Sequence, residues 1–189
     1  MNERETTENQ WSDLLSERLR LRPLQSGDAA PIFAYRSLPE VERYQGWESF
    51  TMEDAEKLVA NQLSVVPNTP DSWLQLAIVE YESSKLIGDC GIHFLSEETR
   101  QVELGITLSP DYQGRGLATE ALYSVLWYVF GQLNKHRATA IVDANNHASA
   151  RLMERVGFRK EAHLIEHYWF KGEWCSEFVF AMLGREWWK

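Results

Sequence analysis

The chain has 189 residues, 44% of them apolar and 25% charged, with a formal net charge of −9. That is the size and balance of one globular domain with a sizeable core; no run of ~18 apolar residues marks a membrane span, and the excess of acid disfavours nucleic acid, whose phosphates need a basic face. An acidic surface suits a cationic partner such as an amine, while Cys90 and Cys175, outside any CxxC or Cys/His pattern, fit a reduced cytoplasmic protein with no metal site.

Residues 1–16 are polar and acidic. They lack the basic start and apolar run of a secretory signal, and are expected to form a loosely ordered tail before a domain over 17–189. Residues 18–24 (RLRLRPL) alternate as a strand does. Ser26 leads into a helical stretch ending near residue 37. An aromatic and polar loop is expected over 41–50. Thr51 precedes a second helix, with Glu53 and Asp54 in its first turn and Pro67 beyond its end. Three strands follow at 72–81, 85–94 and 100–108. In the third, Val102, Leu104, Ile106 and Leu108 share one face, and Glu103, Gly105 and Thr107 the other. Leu117, Ala121, Leu122, Val125, Leu126, Val129 and Phe130 recur at helical spacing. A strand over 137–143, a helix opening at Asn146 and stopping at Gly157, and a hairpin of 164–170 with 174–183 complete the chain. The order predicts a single α/β domain with a mixed sheet.

The stretch ELGITLSPDYQGRGLATEAL, residues 103–122, carries the most chemistry. A strand ends near Leu108, Pro110 breaks it, and Gln113, Gly114, Arg115, Gly116, Leu117 and Ala118 open a helix. Small residues let a ligand approach the backbone, and the first-turn N–H groups have no helical acceptors. With the helix dipole they form a site for an anion such as pyrophosphate. No Lys follows the glycines as a Walker A loop requires, and the GxGxxG fingerprint is absent.

QGRGLA resembles the Q/R-x-x-G-x-G/A pattern of GNAT acetyltransferases. Its flanks, LGITLSPDYQGRGLATEAL, resemble the RimJ/RimL-like (ribosomal-protein-alanine acetyltransferase) subgroup, as do NHASARLMERVGF over 146–158, ERLRLRPL over 17–24, and the C-terminal hairpin with Gly172 and Trp174. The resemblance spans about residues 17–186. It implies a mixed, mostly antiparallel central sheet flanked by helices, in which the strands over 100–108 and 137–143 splay apart. It further implies acetyl-CoA as cosubstrate. Pantetheine would pair with the backbone of Ile106, Thr107 and Leu108, pyrophosphate would meet the amides of Gly114 to Ala118, and Asn146 would bond pantetheine.

An activated thioester needs only attack by a neutral amine. Lysine amines have a pKa near ~10.4 and α-amines near ~8, so something must take a proton. Glu103, on the face opposite the apolar set, is the first choice; Glu166 and His93 are weaker ones. Asn146 and Ser149 resemble the subgroup's helix start, which implies Ser149 as proton donor to the sulfur; residues 146–156 contain none of the tyrosine that many GNAT enzymes use there, and Tyr168 is an alternative from the hairpin. Tyr44 and Trp47 are expected to wall the amine, and Arg115 and Arg151 to meet phosphates. Ser176 stands where the subgroup often has aspartate two residues after Trp174. The implied function is an N-acetyltransferase acting on a protein N-terminus or a small-molecule amine; the alternatives are a CoA-binding regulatory module without catalysis and a phosphate-binding protein unrelated to CoA. A homodimer through Trp187 and Trp188 is a further expectation.

Overall fold

The structure is a computed structural model and describes residues 12–189. Its elements run β1 (Leu14–Leu15), β2 (Leu19–Pro23), α1 (Ala29–Arg36), α2 (Pro39–Glu42), α3 (Met52–Gln62), β3 (Ser72–Glu80), β4 (Leu86–Phe94), β5 (Gln101–Leu108), α4 (Leu117–Leu126), β6 (Arg137–Asp143), α5 (His147–Val156), β7 (Arg159–Phe170), β8 (Glu173–Leu183) and α6 (Gly184–Trp187). The eight strands form one sheet in the order β1-β2-β3-β4-β5-β6-β8-β7. All neighbours are antiparallel except β5 and β6.

That one parallel pair is short. Gln101, Val102 and Glu103 face Arg137, Ala138 and Thr139, and pairing then stops. Thr139 Oγ1 donates to Val102 O at 3.2 Å and closes the last rung. Beyond it β5 pairs only with β4, and β6 only with β8. The expected splay is therefore present, and each strand leaves one row of backbone groups in the gap.

Two cores flank the sheet. Val102, Leu104 and Leu108 of β5 lie under Leu117, Ala121, Leu122 and Val125 of α4 and Ala150, Leu152, Met153 and Val156 of α5. Each Val, Leu or Met side chain among these, once buried, contributes about 1.5–3 kcal/mol. On the other face Ile32 and Tyr35 of α1 meet Ala55 and Val59 of α3. Thr51 caps α3 as its position suggests: its Oγ1 accepts from Asp54 N at 3.2 Å, and Asp54 Oδ2 accepts from Thr51 N at 2.9 Å.

Several boundaries differ from expectation. Residues 1–11 of the expected tail lie outside the described residues. Leu14 and Leu15, also assigned to it, pair with Leu21 and Arg20, and Leu14 is buried. The loop over 41–50 begins inside α2, which Pro39 opens from its first position. The helix read through Phe130 becomes a π-helical stretch at Trp127–Gln132, in which the consecutive residues Tyr128, Val129 and Phe130 are all buried. Strand β7 starts at Arg159 rather than 164; as an edge strand it is exposed along most of its length, so its first residues carry no apolar alternation.

Candidate active site

A cleft of ≈ 620 Å³ opens where β5 and β6 part. Its walls are the end of β5, the turn leading into α4, the first turns of α5, and α2 with the residues after it. Twelve of the sequence-predicted residues line it: Tyr44, Ile106, Thr107, Leu108, Gln113, Gly114, Gly116, Leu117, Ala118, Asn146, Ser149 and Arg151. Segments some hundred residues apart in sequence thus meet at one cavity.

The turn is built for backbone donors. Gly114 and Gly116 have φ of 72° and 80°, where L side chains are strained. Gln113 Nε2 donates to Leu108 O at 3.0 Å and ties the turn to the strand before it. Gly116 is the N-cap of α4 and offers no side chain to its amides. No acceptor within the described residues takes the N–H groups of residues 114–119. Thr119 Oγ1 is likewise buried with no hydrogen-bond partner among the described residues. A row of unspent donors at a helix N-terminus, beside an open cleft, fits a polyphosphate.

Opposite the turn, Asn146 caps α5: its Oδ1 accepts from Ser149 N at 3.1 Å. The Ser149 hydroxyl has no hydrogen-bond partner among the described residues. Arg151 and Arg155, one turn apart on α5, also line the cleft without an ion-pair partner among the described residues, and the sequence reasoning had missed Arg155. Its signal was its place four residues after Arg151 on one helix face. Tyr44 Oη donates to Asn145 O at 3.3 Å, and Lys171 Nζ, at the hairpin tip, to Glu42 O at 2.6 Å. Gln45, also missed, donates from Nε2 to Thr107 Oγ1 at 3.3 Å. These contacts bring the segment after α2 over the gap.

Glu103 stands at the fork itself, as the last β5 residue paired with β6, and is not part of the cleft lining. It is half-buried and makes no hydrogen bond or ion pair within the described residues. Burial raises its pKa above the ordinary carboxylate value; His93, directly across on β4, pulls it down, and the charge of Glu177 pushes it up. A carboxylate so placed is a better base than one in water. Glu177 pairs with Asp143 across β8 and β6 and holds His167 Nε2 at 2.5 Å. Tyr168 Oη reaches Asp143 Oδ2 at 3.5 Å, and burial foremost raises its pKa.

Residues 18–159 match the family described as the acetyltransferase (GNAT) domain. The chain belongs to the GNAT acetyltransferase family. It is 31% identical over 176 residues to the uncharacterized N-acetyltransferase p20 of Bacillus licheniformis, covering 92% of this chain and 97% of that one. A GNAT-family acetyltransferase of Bacillus anthracis superposes with a TM-score of 0.83 at 26% identity, covering 93% of this chain and all of its own. Spermidine N-acetyltransferase from Vibrio cholerae, in complex with CoA and spermine, has the same fold, with a TM-score of 0.79, 23% identity and coverage of 92% and 100%. The chain is accordingly an N-acetyltransferase of acyl-CoA-dependent type.

Other expected residues sit elsewhere. Trp47 does not line the cleft. Its ring packs 5.3 Å from Phe50 and lies 4.6 Å from the Arg36 guanidinium, while its Nε1 donates to Arg36 O at 3.4 Å. The Arg115 side chain turns away to Glu80 at 2.9 Å. His93 stacks on Trp73 at 4.7 Å. Glu166 lies in a bulge of β7 with φ of 48°, and its N–H donates to Ser176 Oγ at 2.9 Å. Ser176 therefore pins a bulge where a carboxylate was looked for. Trp187 packs against Tyr123 and Phe130, while Trp188 is exposed. Among the described residues no helix is long and apolar enough to cross a membrane, and no group of three or more acidic, His or Cys residues is placed to hold a metal.

Proposed function

We propose that the protein transfers the acetyl group of acetyl-CoA to a primary amine by direct attack. The carrying observation is the row of unspent N–H groups over residues 114–119, at the mouth of the gap where β5 and β6 part. Acetyl-CoA supplies an acetyl group already activated as a thioester. The amides of Gly114, Arg115, Gly116, Leu117 and Ala118 hold its pyrophosphate, with the Gln113 side chain fixing the turn. The free edge of β5 at Ile106, Thr107 and Leu108 offers main-chain partners to pantetheine, and Asn146 faces it from α5. Glu103 accepts a proton from the amine, directly or through water, as the amine nitrogen bonds to the carbonyl carbon. When the carbon–sulfur bond breaks, the Ser149 hydroxyl donates a proton to the leaving sulfur and takes one back from solvent, to which Glu103 releases the proton it removed. Tyr44, at the roof of the cleft, bounds the amine.

The acceptor is a small-molecule amine or a protein N-terminus. Glu103, Asp143 and Glu177 give that side of the gap negative charge, which draws an ammonium group. The spermine bound by the Vibrio cholerae enzyme supports an amine acceptor on this fold. Buried, unpaired Cys90 and Cys175 support a reducing compartment, the cytoplasm.

Release of free thiol from acetyl-CoA, measured across a panel of polyamines, amino acids and N-terminal peptides, tests this. At least one amine should accelerate it, and Glu103→Gln should lower kcat by roughly 10²–10⁴-fold. The acidic limb of the wild-type rate profile should sit above the ordinary glutamate pKa, because activity needs the deprotonated base and burial raises its pKa. CoA retained with no thiol released by any amine would leave a binding module in place of an enzyme.

A further inference from the structure

The phosphate-facing turn does not hold itself. Two glycines at positive φ make it pliable, and its shape is set by side chains behind it. Arg18, just before β2, donates from Nη1 to Arg115 O at 3.1 Å. The same guanidinium bonds Glu120 of α4, Nε to Oε2 at 2.7 Å and Nη2 to Oε2 at 2.6 Å. Glu120 Oε1 in turn accepts from Arg18 N and Ser16 Oγ, both at 2.7 Å. Neither Ser16 nor Arg18 lines the cleft, whereas Gly116 does.

A peptide bond fixes the consequence. The described chain contains no cis peptide, so the carbonyl of Arg115 and the N–H of Gly116 point in opposite directions from one plane. Arg18 holds the carbonyl from behind, and the N–H is thereby presented away from Arg18. A glycine pair without that anchor is free to rotate the 115–116 peptide and withdraw a donor. We propose that Arg18, seated by Glu120, is a positioning residue for cofactor binding: it orients the 115–116 peptide so that the Gly116 amide meets the phosphates. This rests on the acetyl-CoA assignment above. It makes the link between β1 and β2 a working part of a cofactor site more than ninety residues downstream.

The effect must be confined to the phosphate end of the ligand. In Arg18→Ala, the Kd for CoA measured by titration calorimetry rises about tenfold, and KM for acetyl-CoA rises alike with kcat little changed. S-acetylpantetheine, which has the thioester and no pyrophosphate, is turned over by the variant with the wild-type kcat/KM. Glu120→Gln, which keeps an amide oxygen but loses the charge, shows the same split more weakly and serves if Arg18→Ala folds poorly. Arg20→Ala breaks the neighbouring 2.5 Å contact to Asp13, away from the turn, and leaves CoA affinity unaltered. Equal CoA affinity in wild type and folded Arg18→Ala overturns the proposal, and so does an equal loss with both thioesters. Wild-type protein with no affinity for CoA overturns the cofactor assignment itself, a distinct result.

Discussion

The two sides of the proposed active site are made of different material. The side proposed for the cofactor is backbone: one continuous turn, residues 113–119, whose donors are amides and whose shape depends on two glycines. The side proposed for the acceptor is side chains from five places: Tyr44 after α2, which lines the cleft, and, at the fork beyond the lining, Glu103 on β5, Asp143 on β6, and Tyr168 and Glu177 on the hairpin. A backbone site serves a ligand that never changes. A side-chain site can be altered one residue at a time without disturbing the cofactor, which suits a family whose members take different amines.

The acceptor side also needs a scaffold of its own. Asp89 on β4, 1% exposed, is bonded by Tyr35, by Nε and Nη2 of Arg36 and by Gln75. Arg36 in turn lies against Trp47, so this buried charge cluster fastens α1 and the segment after α2 to the sheet. Asp89→Ala leaves an unpaired buried guanidinium and should lower stability by about 3–5 kcal/mol in urea unfolding. A loss under about 1 kcal/mol would mean that apolar packing, not the ion pair, seats this side. The cofactor side breaks differently. Gly116→Val forces a β-branched residue to φ near 80°, at a strain of about 1–3 kcal/mol, and sets its Cβ 3.6 Å from Arg18 Nη2 behind the turn, so that relief of the strain turns the amides out of place. CoA affinity should fall on the order of 100-fold, with the unfolding midpoint lowered less than in Asp89→Ala. Intact affinity would place the phosphates elsewhere.

The same contrast explains what the sequence discloses. A site made from one contiguous turn leaves a contiguous signature, and QGRGLA with the strand before it and helix after it was enough to locate the donors. The helix at Asn146 and its stop at Gly157, φ 106°, were legible for the same reason: caps are local. The network at Asp89 was not, because its members lie 14, 53 and 54 residues from it and none carries a local pattern. Arg18 and Glu120 were invisible for the same reason, lying 102 residues apart. In sequence Trp47 suggests a substrate wall because an aromatic loop residue shows its chemistry and not its direction; in the fold its ring is taken up by Arg36 and Phe50. Glu103 was legible in part. Alternation along β5 gave its face, but only the end of pairing at Thr139 puts it at the fork.

The smallest effect bears on why a lone carboxylate stands there. Burial disfavours ionised Glu103, so its folded pKa lies above its unfolded value. The sign of the stability follows. Below the unfolded pKa the group is neutral in both states and exacts nothing. As pH rises, the unfolded chain ionises first, and stability is lost until the folded pKa is passed. At neutral pH the charge is therefore a standing cost, and Glu103→Gln should raise the melting temperature, by no more than the roughly 2–4 °C that about 1 kcal/mol is worth in a domain this size. The gain should shrink as pH falls through the folded pKa and vanish well below the unfolded value, where wild type and variant are both uncharged at this position. Paired with the fall in kcat, a more stable and less active variant marks a residue kept for chemistry at the expense of the fold. A variant that melts lower at neutral pH would instead make Glu103 a structural partner of His93, and the base would have to be sought among Asp143, Glu177 and Tyr168.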